Sequence, residues 1–278
     1  MDAPSPPGVA RADRLKAVVL DWAGTTVDFG SLAPARMLQR TFASVGIDVT
    51  DAEVRADMGL PKKDHVRRIL SGGRVSDEWR KQRGRSPEPA DVDDIYERFV
   101  PLQLSCLVEY SSLIPGVLDS VRRCRDRGLK IGSTTGYTRA MLDVLLESSA
   151  KEGYRPDCSI APEDVGGGRP APFMIFEIAV RLKVYPLSAI AKIGDTPADI
   201  LEGLNAGAWT IGVAGTGNGI GLSREEFDAL APGRRESLLE RARFELRRAG
   251  AHFVIDTLAE LDSVLDQIDA RLRSRSPE

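Results

Sequence analysis

Asp21 closes the apolar run LKAVVLD at residues 15–21 and is followed by Trp22, Ala23, Gly24, Thr25, Thr26, Val27 and Asp28. A carboxylate at a strand end can act as a nucleophile or metal ligand while the amides of a glycine-containing loop bind phosphate. The same Asp could equally be a cap or turn residue. A second run, IAKIG at 190–194, leads into Asp195, with Asp199 four residues on and Pro197 placed to open a helix. Both carboxylates then fall on one side, a donor set suited to a hard cation such as Mg2+. Asp199 alone also reads as an acid at a helix N-terminus, placed there for the dipole. A third segment, KIGSTTGYTR at 130–139, ends a strand in hydroxyls and glycine that can donate to phosphate. A fourth, Gly166-Gly167-Gly168-Arg169-Pro170, supplies a guanidinium from a loop. Singly, these are a turn and a solvated arginine. In DMGLPKKDHV at 57–66, Lys62 and Lys63 precede His65, one of 2 histidines. On composition this is a basic helix start on a solvated face.

The elements that must position these groups alternate. Short apolar runs at 15–21, 129–133, 158–161, 190–194 and 209–213 are separated by amphipathic stretches at 116–127, 139–151, 172–182 and 197–205. Such alternation implies βαβ units and a parallel sheet with functional loops at the strands' carboxyl ends. Residues 30–111 break the pattern. They hold no convincing strand, a helix at 34–46, another at 91–108, and turns at 71–73 and 84–89. The expected architecture is an α/β fold, a Rossmann-like parallel sheet core (15–29 and 112–273) with an inserted helical cap (30–111). Residues 1–14 and 274–278 read as flexible tails. A strand at 252–255 precedes a stripe of Leu258, Leu261, Leu265, Ile268 and Leu272, which reads as core packing.

Composition excludes several classes. The 278 residues are 42% hydrophobic and 28% charged with a net charge of −3, so nothing draws the chain to nucleic acid or an anionic membrane. No apolar run reaches the ~18 residues of a membrane span. The first residues lack the basic and apolar regions of a signal peptide, and 3 scattered cysteines argue against disulfides or a thiolate zinc site. A cytoplasmic location is expected. The glycine-rich stretch 215–221, GTGNGIG, fails the dinucleotide-loop register.

In this order the four motifs resemble the haloacid dehalogenase superfamily of phosphotransferases over nearly the whole chain. With the cap segment around Lys62 they resemble, more narrowly, the phosphonoacetaldehyde hydrolase (phosphonatase) family. The resemblance implies that Asp21 attacks phosphorus and that Gly24, Thr25, Thr135, Gly136 and Arg169 bind the phosphoryl group. It further implies that Mg2+ is held by Asp21, the Ala23 carbonyl and Asp195, with Asp199 supporting that shell. Superfamily phosphatases carry a second Asp two residues after the nucleophile; here that position is Ala23, so a leaving oxygen has no acid. The phosphonatase route supplies an electron sink instead, a Schiff base between the substrate aldehyde and Lys62, with Met58 positioning the amine and His65 moving protons. The implied reaction is hydrolysis of phosphonoacetaldehyde to acetaldehyde and phosphate in the degradation of phosphonates such as 2-aminoethylphosphonate. A homodimer is also implied. Family members can place Cys where this chain has Ser31. An Mg2+-dependent ester phosphatase and a non-catalytic phosphate-ligand binding protein are the alternatives.

Overall fold

Buried parallel strands must be apolar on both faces, and the runs that satisfy this pair as one sheet. β1 (Ala17–Leu20), β2 (Lys130–Thr134), β3 (Cys158–Ile160), β4 (Ile190–Gly194), β5 (Trp209–Val213) and β6 (Phe253–Ile255) lie in the order β3-β2-β1-β4-β5-β6, every pairing parallel. The computed structural model describes residues 12–274, so the tails expected at 1–14 and 274–278 lie mostly outside the described residues. Ala12, assigned to the first tail, is buried against the core.

Helices α1 (Leu32–Ser44), α2 (Asp51–Ala56), α3 (Lys62–Ser71), α4 (Gly73–Arg83) and α5 (Pro89–Cys106) all fall between β1 and β2. The expected helix at 34–46 starts and stops two residues earlier, and the one at 91–108 is likewise shifted to Pro89–Cys106. Helices α2 and α4 have no counterpart in the sequence pattern, whereas α3 begins at Lys62, where the sequence predicts a basic helix start, though Lys62 itself is buried rather than solvated. Helix α4 buries only Val75 and Trp79, too few for a visible period. The core helices are α6 (Val117–Asp126), α7 (Arg139–Glu152), α8 (Phe173–Leu182), α9 (Pro197–Asn205), α10 (Arg224–Asp228), α11 (Pro232–Arg248) and α12 (Leu261–Ser274). The Leu258-to-Leu272 stripe is buried throughout, as core packing requires. Apolar side chains of the cap helices and of the sheet join one continuous hydrophobic cluster. Among the described residues, no helix is long and apolar enough to cross a membrane.

Register explains the site. Leu20 pairs with Ile193 on β4 and with Ser133 on β2. The Asp21 N–H then donates to the Ile193 carbonyl at 2.9 Å, which holds Asp21 beside the end of β4. Strand order reverses between β1 and β4, the switch point at which open α/β sheets leave a crevice for ligands.

Candidate active site

The loop after β1 is built by its own backbone. Amides of Thr25, Thr26 and Val27 donate to the Trp22 carbonyl, and the Thr26 hydroxyl donates to the Asp21 carbonyl at 2.9 Å. Gly24 has φ +86°, and a Cβ there would stand 2.3 Å from Asp195 Oδ2. Asp195 accepts from the Thr25 hydroxyl at 3.3 Å and from the Asn218 N–H at 2.6 Å. Gly24 and Thr25 thus sit against Asp195 rather than in the lining of the cavity beyond. Asp199 caps its own helix with Thr196, whose hydroxyl donates to Asp199 Oδ2 at 2.6 Å.

Asp21, Asp195 and Asp199 are all buried and can bring one oxygen each within 4.8 Å of one another. Burial raises the Asp21 carboxyl above its ordinary range, and the charge of Asp199 adds to that. Burial likewise pushes Asp195 well up, with Asp21 and Asp199 pushing the same way. Burial works against Asp199 too, yet Arg169 and Lys192 together hold it below the usual carboxylate value. Repulsion among buried oxygens is what a divalent cation relieves, and an all-oxygen donor set suits a hard one. Asp199 is already engaged by Arg169 at 2.9 Å and Lys192 at 2.8 Å.

Arg169 is buried and forks three ways, to Asp21 at 2.7 Å, Asp199 at 2.9 Å and Glu202 at 3.0 Å, with a further bond to the Thr134 carbonyl at 2.8 Å. An ammonium cannot span that fan. Arg169→Lys is expected to lower stability by about 3–5 kcal/mol, because buried carboxylates lose their partner; urea unfolding checks this. Lys192 and Glu202 carry no role in the sequence reading. The available signal was a lysine inside an apolar strand, which can be buried only beside acids.

The cap closes the site from above. Met58, Gly59 and Lys62 line one small cavity, of about 20 Å³, with Asp21, Ala23, Thr135, Gly136 and Arg169; Ser31, Pro34, Tyr137 and Thr196 complete its wall. A Cβ on Gly136 would lie 2.5 Å from the Leu60 carbonyl oxygen, so only glycine lets the cap turn rest there. The two lysines part company. Lys63 is half exposed and pairs with Asp93 at 2.6 Å, whereas Lys62 is 5% exposed. Lys62 Nζ lies 4.0 Å from Met58 Sδ and 5.0 Å from the centre of the Tyr137 ring. Burial, working against the pull of Asp21, brings the Lys62 amine down to about 8.

His65 does not line the cavity. It is fully buried behind Lys62 on α3, its Nε2–H donating to the Val54 carbonyl at 2.7 Å and its Nδ1 without a hydrogen-bond partner. Burial, with the Lys62 charge, lowers it to about 3, so the ring is neutral. Tyr137 has no role in the sequence reading of its motif, yet its ring lies under the Lys62 amine.

A buried amine depressed to about 8 makes a stability prediction. The unfolded chain holds this proton more tightly than the folded one, so the charged amine costs stability below pH 8 and the cost fades toward pH 10.5. Lys62→Met should therefore raise the unfolding free energy near neutral pH by about 2–4 kcal/mol. Denaturant unfolding at pH 7 and at high pH should show the gain shrinking as pH rises; a gain independent of pH would contradict it.

The haloacid dehalogenase-like hydrolase family model matches residues 15–207, most of the chain. The phosphonoacetaldehyde hydrolase of Syntrophobacter fumaroxidans is 46% identical over 255 residues, covering 92% of each chain. This chain belongs to the phosphonoacetaldehyde hydrolase family of haloacid dehalogenase-like hydrolases. A phosphonoacetaldehyde hydrolase of Bacillus cereus is 42% identical over 256 residues, covering 92% of this chain and 97% of that one. The crystal structure of a phosphonoacetaldehyde hydrolase like protein from Oleispira antarctica superposes with a TM-score of 0.94 at 37% identity, covering 99% and 100% of the two chains. Family membership accords with Ala23 at the position where ester phosphatases place their acid.

Proposed function

We propose that this phosphonoacetaldehyde hydrolase family member cleaves the C–P bond of phosphonoacetaldehyde, giving acetaldehyde and phosphate. The observation that carries the reading is Lys62: a buried amine, lowered to about 8, facing the same cavity as Asp21 and Arg169. Near pH 8 about half of such amines are neutral and can attack an aldehyde. The cap, residues 30–111, is the part that brings the amine to the core.

Arg169 and the hydroxyl and amide donors of Thr135 and Gly136 bind the phosphonate. Lys62 Nζ adds to the aldehyde carbon, and loss of water gives an iminium. Asp21 then attacks phosphorus in line; the electron pair of the C–P bond moves into the iminium and leaves it as an enamine. Protonation at carbon and addition of water release acetaldehyde and return the amine, while a second water cleaves the aspartyl-phosphate. Met58 Sδ orients the amine. His65, expected to move protons, lies outside the cavity as a neutral ring, and its Nε2–H bond to the Val54 carbonyl instead fixes it on α3 beside the Lys62 turn.

The residues fit a metal. Asp21, the Ala23 carbonyl and Asp195 would hold Mg2+, and Asp199 would support them. Bound there, Mg2+ supplies charge neutralisation between the carboxylate and the phosphonate.

The working form proposed is a cytoplasmic homodimer. Family resemblance places the pairing through the helices between β1 and β2; Phe173, Phe176 and Val180 leave a second exposed apolar face on α8. Phosphate release from phosphonoacetaldehyde, with and without Mg2+ and beside a panel of phosphate esters, tests the proposal. Turnover of esters alone would replace it with an ester phosphatase; no turnover of either would leave a binding protein.

A further inference from the structure

The glycine-rich loop 215–221 is spent on neither nucleotide nor substrate, yet it touches the nucleophile loop, Asp195 and the segment between β1 and β2. The Asn218 N–H donates to Asp195 Oδ2 at 2.6 Å, and the Thr216 hydroxyl donates to the Gly24 carbonyl at 2.8 Å in the nucleophile loop. The Thr216 carbonyl accepts from the Gly30 N–H at 2.8 Å, where the chain leaves the core for the cap. Gly217 packs so closely that a Cβ would fall 2.2 Å from the Asp195 Cβ.

The same asparagine reaches the cap. Its Oδ1 accepts from Arg55 Nη1 at 3.0 Å, and its Nδ2 donates to the Arg55 carbonyl at 3.1 Å. Arg55, on α2, is held in place by Asp51 at 2.8 Å and also donates to the Gly30 carbonyl at 3.0 Å. One residue thus carries a backbone bond to a buried carboxylate of the core and a two-way side-chain bond to a cap helix.

We infer that Arg55 and Asn218 form a latch through which cap closure sets the position of the Asp195 carboxylate. Neither is a catalytic residue; both are positioning residues. With the cap seated, the Asn218 side chain is fixed and its N–H is aimed at Asp195. With the cap lifted, the loop loses that tether and the Asn218 N–H is held less firmly, leaving the longer Thr25 hydroxyl bond, at 3.3 Å, as the fixed donor to Asp195. The assignment rests on the reading of Asp195 as a metal ligand. Coupling of this kind is reciprocal: whatever cap contact adds to metal affinity, metal adds to cap contact.

The test is Mg2+ binding by calorimetry without substrate, on the wild-type chain, Arg55→Lys, Asn218→Ala and the double variant, with amide exchange across α2 alongside. Both single variants should bind Mg2+ about 5- to 10-fold more weakly, the scale of one or two lost hydrogen bonds, and the double variant no more weakly than either. Mg2+ should slow α2 exchange in the wild-type chain and not in the variants. Unchanged Mg2+ affinity in the variants, even beside a lowered thermal midpoint, would show a merely structural contact and overturn the latch. If the wild-type chain binds no Mg2+, the metal reading fails by itself, and Asp195→Asn judges the latch. It should then speed α2 exchange beside an intact Asn218 and not beside Asn218→Ala; no difference overturns it.

Discussion

Lys62→Arg is expected to lower phosphonoacetaldehyde turnover by about 10⁴-fold or more, the scale on which a covalent nucleophile is lost. The substitution keeps a positive charge over the Tyr137 ring and removes only the ability to condense, because guanidinium does not deprotonate in proteins. An electrostatic role for Lys62 would survive it largely intact. The pH dependence follows from the same amine. It must be neutral to attack, and burial brings it to about 8, so the rate of imine formation rises with pH and levels above that value. Steady-state phosphate release by the variant, and single-turnover trapping across pH 6.5–9.5 for the wild-type chain, check the two parts (about three pH units span the titration). Substantial turnover by Lys62→Arg would remove the Schiff base from the mechanism.

Asp21→Asn should separate the two halves of the reaction. Phosphate release is expected to fall by about 10⁴-fold or more, since the amide cannot form the aspartyl-phosphate. The imine should persist. The Asp21 charge pulls the Lys62 amine upward, so its removal leaves the amine neutral at lower pH. The substitution also releases the Arg169 guanidinium from one of its three carboxylates, leaving Asp199 and Glu202 to orient it. Borohydride should therefore trap substrate on Asp21→Asn at least as readily as on the wild-type chain at pH 7, with almost no phosphate released. Wild-type turnover by this variant would show that another group attacks phosphorus.

The central strands β1, β4 and β5 were readable because they are buried throughout and so appear as largely apolar runs. IAKIG and WTIGV were delimited to the residue, and Asp21 and Asp195 stand directly beyond the strands that bring them together. The segment between β1 and β2 was readable as an absence of strands, with two helices and the start of a third inside it. Its other helices are short and polar, and α2 buries a single side chain, Val54. The same limit hid α11, a 17-residue helix that sinks only Leu238, Ala242 and Leu246 into the fold.

At the site, residue types were legible and pairings were not. Lys62 and Lys63 are equivalent in composition; only the geometry of α3 turns one inward and the other to Asp93. Lys192 was hidden inside a strand correctly read as buried, because the acids that permit its burial come from Asp199 and Glu202 on the following helix. The glycines of the 215–221 loop resembled a nucleotide motif for a simple reason. Both need backbone to approach another group closely; here Gly217 approaches Asp195, while Gly215, Gly219 and Gly221 approach Asp256, Ala242 and Arg55.

Whether Lys62 carries the substrate covalently is decided by borohydride reduction in the presence of phosphonoacetaldehyde, followed by mass mapping of the modified peptide. One stable adduct is expected, on Lys62, formed by the wild-type chain and by Asp21→Asn and absent from Lys62→Arg. An adduct on Lys63 or Lys192, or none on any lysine while acetaldehyde is still released, would refute the Schiff base at this position.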